Sequence, residues 1–120
     1  MGRKIVHVEF PAQDADRAQK FWEGFGEWQL SVPPGMDEFD YRMFQDEGWG
    51  GAVYPSQGEQ GPIIYFSGED IDADIAKVRG LGGEAEDKQP IPHVGWFARC
   101  KDTEGNPFSL FQTDESVEAG

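Results

Sequence analysis

An internal repeat governs how this chain can fold. Slid over itself by 56 residues, the sequence places Asp14 on Asp70, Asp16 on Asp72, Gly24 on Gly80, Gly26 on Gly82 and Asp46 on Asp102. These are positions of helix caps, helix terminators and a turn, so what repeats is local structure over about fifty residues. A chain of 120 residues built this way is expected to be two small modules sharing one core.

The first module can be read residue by residue. Val6, Val8 and Phe10 alternate with Ile5, His7 and Glu9, which is a strand with two distinct faces. Asp14 is placed to cap a helix, and Ala18, Phe21, Trp22 and Phe25 follow at helical spacing as its apolar face. Residues 27–32, 39–45 and 51–54 are further strand candidates. The second module repeats the order. A strand covers 63–66, and Asp70 caps a helix carrying Ile71, Ile75 and Val78. Strands follow over 94–101 and 107–112. The boundaries predicted are a βαβββ module over 1–54, a linker over 55–62, a second βαβββ module over 63–113 and a frayed acidic tail over 114–120. Each module has a helix on one sheet face only. Two modules joined edge to edge would cover the other faces, giving an α+β fold with a curved mixed sheet and a central trough.

Composition narrows function. With 23 acidic against 10 basic side chains, the net charge of -13 excludes phosphate-backbone binding, so no nucleic-acid partner is expected. No apolar run approaches a membrane span, and no basic cluster would hold an anionic membrane, so no membrane partner is expected either. A single cysteine, Cys100, permits neither an internal disulfide nor a thiolate zinc site. A cytoplasmic location is the expectation.

Several runs resemble the vicinal oxygen chelate superfamily, which includes glyoxalase I, extradiol dioxygenases, and fosfomycin and bleomycin resistance proteins. In the first half they are Val6-His7, Asp14-x-x-Arg17-Ala18-x-x-Phe21-Trp22 and Phe25-Gly26. In the second half they are Tyr65-Phe66, Asp70-Ile71-Asp72, Leu81-Gly82-Gly83, Gly95-Trp96-Phe97-Ala98 and Asp102-x-Glu104-Gly105-Asn106. The resemblance implies paired βαβββ modules, a homodimer with shared trough walls and, in catalytic relatives, a divalent metal held by His and Glu from four strands. Carried onto this chain, those four positions are His7, Ile63, Ser109 and one within 50–54, a segment without carboxylate or imidazole. Only His7 can bind a metal, so no metal or other cofactor is expected.

Strand alternation points His7, Glu9, Tyr54, Tyr65, Ser109 and Phe111 inward as ligand contacts. Trp49, on a glycine turn, either covers the ligand or packs ordinarily. His7 and Glu9, two apart on one strand face, are the candidate acid–base pair. His93 reads as a loop histidine, Cys100 as a core residue, and Phe21 and Trp22 as helix packing. Three functions fit. The first is a metal-independent glyoxalase/bleomycin-resistance-like protein that binds or sequesters a cationic or aromatic small molecule. The second is a metal-dependent lyase or extradiol-type dioxygenase using His7. The third is an accessory or regulatory module without a ligand. Whether any reaction is catalysed is left open by these residues.

Overall fold

The computed structural model describes residues 2–58 and 61–118. Glu59 and Gln60 of the expected linker, and Ala119 and Gly120 of the expected tail, lie outside the described residues. Among those described, two α-helices and eight strands make an α+β chain, divided into two compact units, Val6–Ile63 and Met1–Ile5 with Ile64–Gly120.

In the unit Val6–Ile63, β1 (Ile5–Ala12) runs parallel to β3 (Gly50–Pro55), and β2 (Arg42–Gln45) runs antiparallel to β3. Helix α1 (Ala15–Gly26) starts where the Asp14 carboxylate accepts the Arg17 backbone N–H at 3.0 Å. Its inner side rests Ala15, Ala18 and Trp22 on a core of Leu30, Phe44 and Val53. Trp22 stacks on Phe10 at 4.4 Å, and Trp28 on Phe44 at 4.0 Å. Gly51 makes the Phe44 placement possible, because a Cβ there would lie 2.6 Å from the Phe44 ring and from the Val8 carbonyl.

Three expectations change here. Residues 27–32 are not a strand: Glu23 accepts the Leu30 N–H at 2.9 Å and Gln19 donates to the Leu30 carbonyl at 3.2 Å. Helix side chains thus take the backbone bonds a ladder would need, and Ser31 alone bridges to Met43. Phe39 sits in a 3-10 turn over Asp37–Phe39 rather than in β2. Phe21 and Phe25 do not pack inward; they are 58% and 74% exposed. The inner face is centred on Ala15, Ala18 and Trp22; at about 100° per residue Phe21 lies about a quarter turn round from that centre and Phe25 about half as far.

In the other unit, β4 (Ile63–Ser67) is parallel to β8 (Pro107–Thr113), which pairs antiparallel with β7 (Gly95–Lys101). The short strands β5 (Glu84–Ala85) and β6 (Gln89–Ile91) both pair with β7. Helix α2 (Ile71–Gly80), capped by Asp70, buries Ile71 and Ile75 against Ala98, Cys100 and Leu110. Cys100 is thus the core residue its sequence context suggests, and burial pushes its thiol up to about 11. The tail is not frayed over its described part. Val117 is buried, its carbonyl accepts the His93 N–H at 2.8 Å, and Asp114 N–H donates to the Val94 carbonyl at 2.9 Å.

Candidate functional site

Register decides which side chains share a face. In the unit Val6–Ile63, His7 is level with Gly50, Glu9 with Ala52 and Pro11 with Tyr54, while Met43 is level with Ala52. Side chains level across a ladder point the same way, so His7, Glu9, Tyr54 and Met43 lie on the face opposite α1. Tyr41, just before β2, joins them.

There the side chains form a connected chain. Tyr41 donates its hydroxyl hydrogen to Glu9 Oε2. His7 Nε2 lies 2.8 Å from the Tyr41 oxygen and 3.2 Å from Glu9 Oε2. A phenol has one hydrogen to give, so with Glu9 as its acceptor the Tyr41 oxygen accepts, and Nε2 of His7 carries a proton. This proton placement is inferred from the heavy-atom geometry. The imidazole lies nearly parallel to the Tyr41 ring, at 13°, and the Tyr41 and Tyr54 ring centres are 6.4 Å apart at 33°. The His7 and Glu9 side chains keep 17% and 12% of their surface, enough to be reached from outside.

The other candidates fall elsewhere. Trp49 packs edge-on against Trp28 at 5.5 Å and Phe44 at 5.7 Å, within the helix-side cluster, which is the ordinary packing alternative. Tyr65, Ser109 and Phe111 share one face of the other unit's sheet, away from α2: Tyr65 is level with Ser109, and Phe111 with Ser67. Ser109 is almost wholly buried. Arg99, level with Ser109, and Phe97, level with Phe111, lie on that face as well, with the guanidinium 5.8 Å from the Phe97 ring centre. Tyr41, Arg99 and Phe97 were not among the sequence candidates. The signal that could have found Tyr41 is the Met43–Ala52 pairing, which sets the odd-numbered residues of this stretch beside Glu9.

A surface groove of about 690 Å³ is lined by Trp28, Ser31, Met43 and Asp46, among others. The Trp28 indole donates to Asp46 at 2.9 Å, and with the Glu47 N–H holds that carboxyl below the usual range. Asp46 is therefore committed to structure, and the hydrogen-bonded His7 face is the better candidate on chemical grounds.

Among the described residues no three His, Cys, Asp or Glu side chains converge as metal ligands.

In each unit parallel and antiparallel strand pairs are accompanied by one Asp-capped helix. The model of the glyoxalase-like domain matches residues 6–111, so the chain belongs to that family. A glyoxylase-like domain-containing protein of Didymella fabae is 29% identical over 118 residues, covering 89% of this chain and 91% of its own. Among solved structures, a hypothetical protein from Bacillus halodurans superposes with a TM-score of 0.72 at 12% identity, covering 99% of this chain and all of its own. A glyoxalase/bleomycin resistance protein/dioxygenase superfamily member from Vibrio splendidus gives 0.69 at 12% identity, over 92% of this chain and 99% of its own. Methylmalonyl-CoA epimerase from Mycobacterium tuberculosis gives 0.66 at 14% identity, over 92% and 87%. At these identities the structural likeness is one of fold.

Proposed function

We propose that this chain is a metal-independent small-molecule-binding member of its family, and that the face carrying His7, Glu9, Tyr41 and Tyr54 contacts an organic cation with an aromatic or amphipathic body. The hydrogen-bond chain from His7 through Tyr41 to Glu9 carries this reading. It commits the nitrogen that a metal would need, and it presents a carboxylate beside two tyrosine rings, a pairing suited to a protonated amine. The net charge of -13 draws cations toward the molecule from a distance.

A second reading has a specific observation behind it. Three ionisable groups in one hydrogen-bonded chain can move a proton between them, which suits an acid–base reaction on a bound ligand. The metal-dependent lyase or dioxygenase reading needs the His7–Tyr41 bond to open and further ligands to be supplied.

Benzylamine, benzyl alcohol and benzoate share a ring and differ in charge. Titrated against the protein by calorimetry and thermal unfolding, benzylamine is expected to bind best, and Glu9→Gln to remove that preference. Equal binding of all three, or undiminished benzylamine binding by Glu9→Gln, would overturn the proposal. Preference for benzoate would instead direct attention to Arg99.

A further inference from the structure

Five arginines stand against the 23 acidic residues of this chain, and four of them are ion-paired. Arg3 meets Asp74 at 2.9 Å, Arg17 meets Asp14 at 3.8 Å, Arg42 meets Asp16 at 2.8 Å and Arg79 meets Asp87 at 3.4 Å. Among the described residues, Arg99 has no carboxylate in ion-pair contact, and its guanidinium stands 5.8 Å from the Phe97 ring centre instead. In so acidic a chain, an arginine without a carboxylate keeps its N–H donors for an anion from outside.

Register sets what surrounds it. Arg99, Ser109 and Tyr65 lie level across β7, β8 and β4, on the face away from α2, and half-buried Phe97 and Phe111 lie level in the next row of that face. Ser109 keeps 1% of its surface, and among the described residues no hydrogen bond takes up its hydroxyl. No side-chain oxygen of the described residues is both sealed from solvent and unpaired, so the surface that Ser109 keeps is at its Oγ. A guanidinium and an open hydroxyl thus stand on neighbouring strands about 5 Å apart, with two rings roughly 6–7 Å further along those strands. The charges at the margin leave this place open. Lys101 and Glu84, level with each other, offset one another a row away. Glu86 gives its N–H to the Arg99 carbonyl at 2.9 Å, but among the described residues its carboxylate forms no ion pair with the guanidinium.

A carboxylate carried on a ring matches both rows. The guanidinium fork accepts two carboxylate oxygens side by side, and Ser109 adds a further donor. Phe97 and Phe111 take the ring. A cation would meet Arg99, and an uncharged ring would leave the guanidinium and the hydroxyl unused.

We propose that this face is a binding site for an aromatic carboxylate, anchored by Arg99 and Ser109. It uses no residue of the His7 face and stands independently of the organic-cation reading.

The test is a benzoate titration of the isotopically labelled full chain at fixed ionic strength, followed by NMR at the Arg99 Nε–H and the Phe97 and Phe111 rings. Benzoate is expected to shift these signals saturably, binding more weakly than benzylamine because the net charge of -13 opposes anions at long range. Acetate lacks the ring and benzyl alcohol lacks the charge, so each is expected to bind at least several-fold more weakly than benzoate. R99Q is expected to weaken benzoate by about tenfold or more, and S109A by several-fold. R99K should fall between wild type and R99Q, because an ammonium keeps the charge and loses the fork. R99Q should also keep the wild-type amide spectrum and unfolding midpoint, since this side chain is exposed. Benzoate binding by R99Q at wild-type strength would overturn the proposal, as would shifts confined to His7, Glu9 and Tyr41. Acetate binding as tightly as benzoate would overturn it too, reducing the site to a surface arginine.

Discussion

Tyr41 has one hydroxyl hydrogen, and its destination decides the chemistry of its neighbours. Given to Glu9, it obliges His7 to donate from Nε2, and the imidazole is then fixed in one tautomer whenever it is neutral. Nitrogen-detected NMR on His7 is expected to show the proton on Nε2, and Tyr41→Phe to lower stability by about 1 kcal/mol as Glu9 loses a donor. A proton on Nδ1 would contradict the assignment. Acid sensitivity also belongs at this scale. The Asn106 side chain and several backbone N–H groups hold the Asp102 carboxyl below its ordinary value, and Ser116 does the same for Asp114. A depressed carboxyl contributes stability that is complete above the unfolded-state value, about 4, and is lost as pH falls through the lower folded-state value. Thermal unfolding followed downward from about pH 4 is expected to show that loss, and Asp102→Ala to lower the neutral-pH midpoint while flattening the acid limb. Parallel acid limbs in the two proteins would remove Asp102 from the account. Cys100, with its thiol at about 11 and its side chain in the core, should react with thiol reagents only on unfolding.

At the scale of elements, two contacts are exposed to direct test. Gly51 admits the Phe44 ring and the Val8 carbonyl where a methyl group would stand, so Gly51→Ala is expected to cost about 1–3 kcal/mol in urea unfolding. A neutral result would mean that the β1–β3 pairing is drawn wrongly. The docked tail predicts a slowly exchanging amide at His93 and a loss of about 1–2 kcal/mol on Val117→Ala. Fast exchange at His93 would restore the frayed tail that its acidic composition suggests. Both helices, their Asp caps and the longer strands were legible in the sequence because each is encoded by local spacing and capping. The segment 27–32 was not, because side chains of α1 take its backbone bonds, an arrangement no local pattern announces. Phe21 and Phe25 misled for a related reason. Helical periodicity reports an apolar stripe without saying which part of its arc meets the core. Tyr41 escaped notice because its neighbours His7 and Glu9 are more than thirty residues away along the chain, joined only by register through β3.

For the molecule as a whole, the excess of acidic over basic residues sets a field that favours cationic ligands and weakens with salt. Benzylamine binding is therefore expected to fall as ionic strength rises, while any benzyl alcohol binding stays nearly constant. Among the described residues, no helix is long and apolar enough to cross a membrane. Family membership places the chain among proteins that differ widely in chemistry on one scaffold, so the His7 face must decide between a bound metal and a hydrogen-bonded ligand. Elemental analysis of untagged protein after soaking in zinc, iron, manganese and nickel tests this most directly. The account predicts no metal in stoichiometric amount and no difference between wild type and His7→Ala. About one metal per chain, lost on His7→Ala, would contradict it.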